Sequence, residues 1–238
     1  EEDMAYGLRV KNAAGEIQID SQYRNMKYDE GASGITITNN GSAPAVTNID
    51  ITDDAKVPLI LFRPGTSKFV CILDYVQSGG TYNSFNMQTE YNTSDVIDWK
   101  CYRQTSTNSS GYGLRVKDAS GNIVFHSADS YFKIKSVNSV NLGTPSLNSY
   151  PYSDVTHGSD SNPYYILNDC GVYVTAAVEH WVGFSVWTFA LCRIGIKKLS
   201  STSVRVGWFP FAVITIPGSP SGVNVGYNPT VKLIVCEI

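Results

Sequence analysis

The sequence predicts an all-β protein, an antiparallel β-sandwich architecture built around a duplicated β-hairpin. Three observations predict it. Residues 6–21 (YGLRVKNAAGEIQIDS) return as residues 112–127 (YGLRVKDASGNIVFHS), 106 positions further on, with ten identities and no gap. Apolar and polar residues alternate with period two in one run after another, the pattern of half-buried strands. No amphipathic run of helical period is longer than about two turns.

In the first hairpin Leu8 and Val10 point one way, and Arg9 and Lys11 the other. Asn12-Ala13-Ala14-Gly15 then reverses the chain, and Ile17 and Ile19 return on the face of Leu8 and Val10. Residues 34–38 (GITIT) alternate cleanly as far as the turn signal Asn39-Asn40-Gly41. Residues 57–62 and 69–73 are continuous apolar runs on either side of Arg63-Pro64-Gly65-Thr66-Ser67-Lys68, and read as a hairpin of two well-buried strands. Residues 96–103 form another strand. In the second hairpin Val124 stands where the first has Gln18, so Ile123-Val124-Phe125 is apolar on both faces. The face that is wet in the first copy therefore needs a cover in the second. Residues 136–162, rich in Ser, Asn, Tyr, Gly and Pro, read as a long loop with at most a short strand. Strands resume at 164–167, 172–178, 184–196, 203–209, 211–216, 223–227 and 230–236. Ser200-Ser201-Thr202 and Gly218-Ser219-Pro220-Ser221-Gly222 are their turns.

The Ser/Asn-rich joint at 105–110 is the boundary candidate. It divides the chain into an N-terminal β unit (1–105) and a C-terminal β unit (106–238), each with one hairpin; read as a long hairpin loop, it leaves both copies in one continuous sandwich. Charged residues make up 16% of the chain, the net charge is −3 and the pI is about 5.6. No basic field is available for a nucleic acid backbone, so no nucleic-acid role is expected. The most apolar stretch, 181–192, has twelve residues and ends at Arg193. A membrane helix needs about 20, so no membrane insertion is expected. The acidic opening Glu1-Glu2-Asp3 does not read as a secretory leader. Cys71, Cys101, Cys170, Cys192 and Cys236 show neither CxxC nor zinc-type Cys–His spacing, and read as buried reduced thiols of a protein assembled in a reducing cytoplasm. Several C-terminal strands are apolar on both faces, whereas antiparallel sheets usually wet one. A neighbouring subunit is expected to cover the surplus face, in a homo-oligomer, with a trimer as the expected state.

The chemistry-bearing residues point to no reaction. His126, His157 and His180 lie in no HExxH or HxH pattern, no Gly-x-Ser-x-Gly occurs, and no glycine-rich phosphate loop is present. A Ser/His/Asp set drawn from His157, Asp160 and a nearby Ser is no more than any Ser-rich loop offers. Asp50, Asp53 and Asp54 could present several carboxylates to a hard cation, but they lack the glycine and distal Glu of a calcium loop and read as a solvated turn. Asp154, Ser159 and Asp160 read the same way. Asp74, Asp98, Glu179 and Glu237 are unpaired in sequence, which counts against a glycan-cleaving carboxylate pair. No catalytic residue, metal ligand or cofactor is expected, and the chain reads as a non-enzyme.

Residues 4–25 (MAYGLRVKNAAGEIQIDSQYRN) resemble the start of a family of tailed-bacteriophage distal tail proteins of poorly defined function. Members open with a Tyr-Gly-Leu-x-Val strand, an Asn/Asp-Ala-x-Gly turn and a strand closing on Asp-Ser, and carry a second hairpin like residues 111–127 (GYGLRVKDASGNIVFHS). The resemblance is dense over the two hairpins and weak elsewhere. It implies a structural virion protein of the tail tip, baseplate or fibre attachment, with other tail proteins as partners and a task in host attachment or fibre anchoring. No functional residue carries over from the family. The surface candidates come from the residues: Tyr150, Tyr152, Tyr164 and Tyr165 flank a Ser-rich acidic loop, and Tyr suits sugar stacking and protein contact at low entropic cost. They are the expected receptor or partner contacts. The alternative function is a lectin-like module that binds a host-surface glycan through these Tyr-bearing loops.

Overall fold

The structure is a computed structural model that describes residues 9–11, 17–20, 26–40, 46–104, 112–131, 133–146, 149–158, 162–168, 173–181, 184–217 and 230–237. Among them there is no helix. The strands are β1 (Arg9–Lys11), β2 (Ile17–Asp20), β3 (Lys27–Asn39), β4 (Thr47–Asp54), β5 (Leu59–Pro64), β6 (Val70–Ser78), β7 (Thr81–Thr89) and β8 (Thr93–Arg103). They continue with β9 (Arg115–Lys117), β10 (Ile123–His126), β11 (Lys133–Asn141), β12 (Tyr152–Thr156), β13 (Tyr164–Leu167), β14 (Tyr173–Trp181), β15 (Phe184–Lys198), β16 (Ser203–Pro217) and β17 (Thr230–Glu237).

Two antiparallel sheets pack face to face. One runs β11-β17-β13-β5-β8-β3; the other runs β12-β16-β15-β6-β7-β4, with β14 on β15. Alternation decides what lies between them. In β17, Val231, Leu233 and Val235 face the other sheet; in β16, Val204, Val206 and Trp208 do. Phe85 of β7 meets Trp99 of β8 across the layers, with ring centroids 5.3 Å apart in a T-shape. Each large apolar side chain buried in this way stabilises the fold by about 1.5–3 kcal/mol.

Both sheets take strands from either side of residue 105. Phe62 of β5 pairs with Tyr165 of β13, and Val70 of β6 pairs with Ile196 of β15. The joint at 105–110, the strand expected at 223–227 and Cys170 lie outside the described residues.

The two hairpin copies form separate two-stranded ribbons with the same register. Arg9 pairs with Asp20, Val10 with Ile19 and Lys11 with Ile17; 106 positions later Arg115 pairs with His126, Val116 with Phe125 and Lys117 with Ile123. Even the bulge recurs at the same place. In the second copy Val124 and His126 are buried. Phe125 stacks on Tyr131 at 5.0 Å, and Tyr131 forms a β-bridge with Lys27, which fastens this ribbon to the edge strand β3.

Three expectations are corrected. The runs 57–62 and 69–73 do not form a hairpin: β5 and β6 belong to different sheets. The Gly65 N–H donates to Val96 O at 2.7 Å and the Thr66 N–H to Asp95 Oδ1 at 3.0 Å, so the connection is held against β8 as it crosses between layers. Residues 136–162 contain most of β11 and all of β12. Their few apolar residues hide the pattern, and pairing with β17 and β16 supplies what local propensity lacks. Residues 203–209 and 211–216 belong to one strand, β16. Pro210 sits at the shift in register where β16 passes Cys192 of β15, a place where a strand tolerates proline.

A candidate ligand-contact face

The outer face of the seven-stranded sheet carries an ordered set of rings and cations. Val204 and Val206 point inward, so Arg205 and Gly207 point outward. Gly207 pairs with Gly195 on β15 and with Tyr152 on β12. A Cβ at Gly207 would lie 2.6 Å from Tyr152 Cβ, and one at Gly195 would lie 2.6 Å from the Phe209 ring and 2.7 Å from the backbone O of Val70. Aromatic side chains thus occupy the space that the glycines leave. Phe209 stacks on Phe69 at 5.8 Å with ring planes 4° apart.

A cation lies on each of three rings: Arg205 on Tyr152 at 3.6 Å, Arg193 on Phe211 at 4.9 Å and Lys197 on Phe69 at 5.1 Å. Asp154, Arg205 and Lys197 stand side by side on β12, β16 and β15. Asp154 accepts from Arg205 Nε at 2.6 Å and from Nη2 at 2.9 Å. These bonds hold its carboxyl below the ordinary carboxylate range, and Lys197 adds to the effect.

The four candidate tyrosines do not share one surface. Tyr152 is 55% exposed, on this outer face. Tyr150 is half-buried against the inter-sheet core, where burial pushes its phenol up. Tyr165, 3% exposed, points into that core and shares a 2.9 Å hydrogen bond with His157 Nε2. Tyr164, 7% exposed, lies on the outer face of the other sheet under Arg63 and Lys100, at 4.8 and 5.4 Å from its ring. Of the four, Tyr152 alone presents a largely open ring to a receptor. The adjacency Tyr164-Tyr165 hid this outcome, because strand alternation sends the two side chains into different layers.

The other candidates are dispersed. His157 faces Tyr165 rather than a Ser or a carboxylate, and Asp160 and Ser159 lie outside the described residues. Asp154 is committed to Arg205. Asp50 and Asp54 sit on β4, an extended strand rather than a turn, and Asp54 Oδ1 accepts from the Lys56 N–H. His126 Nδ1 accepts from the Ala128 N–H at 3.2 Å, and its buried Nε2 has no hydrogen-bond partner among the described residues. Only the backbone of His180 is described.

Among the described residues, Asp29, Glu30 and Cys101 bring three possible metal-ligand atoms within 4.8 Å of one another. The buried guanidinium of Arg103 already occupies this group: Nη1 donates to both carboxylates and Nη2 donates to Thr52 O at 2.8 Å. Burial pushes the Cys101 thiol up to about 12, so no thiolate is available near neutral pH. Cys71, Cys101, Cys192 and Cys236 are buried and form no disulfide among the described residues.

Sequence reasoning missed Arg205 and Lys197. Alternation alone places Arg205 opposite the inward valines, but nothing local pairs it with Asp154, 51 residues away. Comparison with protein families, with characterised proteins and with solved structures gives no significant match to this chain.

Proposed function

We propose that this chain is a structural protein of a tailed-bacteriophage virion, a homo-oligomeric part of the distal tail that serves host attachment or fibre anchoring. The observation that carries the reading is the repeated Tyr-Gly-Leu-Arg-Val-Lys ribbon, whose sequence resembles the opening of such tail proteins. Its two copies share one register, and each pairs only with itself rather than joining the strand order of either large sheet. Short ribbons of this kind offer backbone edges to neighbouring chains, and strand addition is a common way for β proteins to couple. Self-association draws support from β11, an edge strand that exposes Ile134 (58%) and Val137 (53%) on its outer side.

The test is to locate the chain in intact particles by electron microscopy with a site-specific antibody. Label confined to the distal tail is the expected result; particles that lack the chain, or carry it in the head, would overturn the reading. Sedimentation of the purified protein should give a trimer, and a stable monomer would remove the homo-oligomeric part.

A further inference from the structure

We propose that Tyr152, Arg205 and Lys197 form a platform that binds an acidic polysaccharide, one with a carboxylate on its pyranose rings. The inference concerns the chain's own surface and does not depend on its place in a particle.

The first ground is charge. Lys197 and Arg205 face each other directly across β15 and β16 on the same side of the sheet. Like charges in that position destabilise a sheet. Asp154 pairs directly with only one of them, through the Nε and Nη2 of Arg205, and acts on Lys197 only at longer range. Arg205 Nη1 has no hydrogen bond among the described residues, and Lys197 has no carboxylate within ion-pair distance there. Arg193, further along β15 on the same face, also lacks an ion pair among the described residues. Glu90, near Phe69, is engaged with Lys68 at 3.7 Å and accepts from the Phe69 N–H at 2.9 Å. The strip is therefore locally cationic in a chain whose formal net charge is −3.

The second ground is shape. Gly207 leaves room for Tyr152 to lie close against β16, and Tyr152, 55% exposed, stands on the edge strand β12. Its ring is held in place by the Arg205 guanidinium at 3.6 Å and keeps an exposed apolar surface for stacking on a sugar. Stacking positions the pyranose; Arg205 Nη1 and Lys197 Nζ then donate to its carboxylate in charge-assisted hydrogen bonds. An acidic polymer is favoured over a neutral one because two cations with a single carboxylate between them leave one positive charge to satisfy.

Surface plasmon resonance of the purified full chain on immobilised polygalacturonate, with neutral dextran as control, tests this. Binding to polygalacturonate and not to dextran is expected, weakening as salt is raised. Lys197→Glu and Tyr152→Ala should each weaken it at least about tenfold, equivalent to 1.4 kcal/mol, while both variants still unfold cooperatively on heating. Lys197→Gln, a milder change, should give a smaller loss in the same direction. Lys133→Glu, on the other sheet, should have no effect. No binding by the wild type, equal binding to dextran, retention of affinity by Lys197→Glu, or an equal loss with Lys133→Glu would each overturn the proposal. Localisation of the chain in particles is unaffected by any of these outcomes.

Discussion

Tyr165 and His157 join the two sheets through a buried hydrogen bond, 2.9 Å from Oη to Nε2. Tyr165 belongs to β13 of the six-stranded sheet, and His157 directly follows β12, the edge of the other. The His157 N–H donates to Thr202 O at 2.9 Å, so the residue is fixed at its backbone as well as at its ring. Burial, and after it the charge of Lys135, holds the imidazole below its ordinary 6.5.

That shift makes stability depend on pH. The folded chain favours neutral His157, so its contribution is complete above pH 6.5 and is lost as the pH falls through the lower folded value. Urea unfolding at a series of pH values should show stability declining below 6.5, and His157→Phe should flatten that decline. Tyr165→Phe should cost about 1 kcal/mol, the net worth of a typical hydrogen bond, and should leave the pH dependence in place. An unchanged slope in His157→Phe would contradict the assignment.

Gly195→Ala should destabilise the protein by about 1–3 kcal/mol, the range for overpacking a filled site. The new methyl would meet the backbone O of Val70 at 2.7 Å as well as the Phe209 ring, and a backbone atom cannot step aside as a flexible side chain can. Gly143→Ala is the comparison, because a Cβ there meets its nearest neighbour, Pro151, at an ordinary 3.5 Å. Chemical denaturation should separate the two variants through the midpoint and not the slope.

Arg103→Ala should be the most damaging of these changes, costing about 3 kcal/mol, the lower end for removing one partner of a buried ion pair. It leaves Asp29 and Glu30 without their cation and the Thr52 carbonyl without its donor. The lower end applies because both carboxylates keep some solvent contact. Arg103→Lys should lie in between, since an ammonium restores the charge but not the fork that reaches three oxygens. Equal stability of Arg103→Ala and wild type, measured by thermal unfolding, would show that this cluster contributes nothing.

Much of the architecture is legible one strand at a time. Alternation assigns Val204 and Val206 to one side and Arg205 to the other, and the 106-residue repeat forecasts two ribbons of equal register. Substitution of Val124 for Gln18 correctly announces that the second ribbon has a covered face. These features are local, because side chains two residues apart share a face whatever the rest of the chain does. The sheet that a strand joins is another matter. Residues 57–73 look like a hairpin until Gly65 and Thr66 are seen hydrogen-bonded to β8, and residues 136–162 look like a loop until β17 and β16 provide partners. The fates of Tyr150, Tyr152, Tyr164 and Tyr165 were equally hidden, because four similar residues end on three different faces, set by the layer each one meets. Asp154, Arg205 and Lys197 become neighbours only through pairings between strands far apart in the chain. Period and composition state what each segment can bury; distant contacts, whose loop-closure entropy must be met by burial elsewhere, decide against what it is buried.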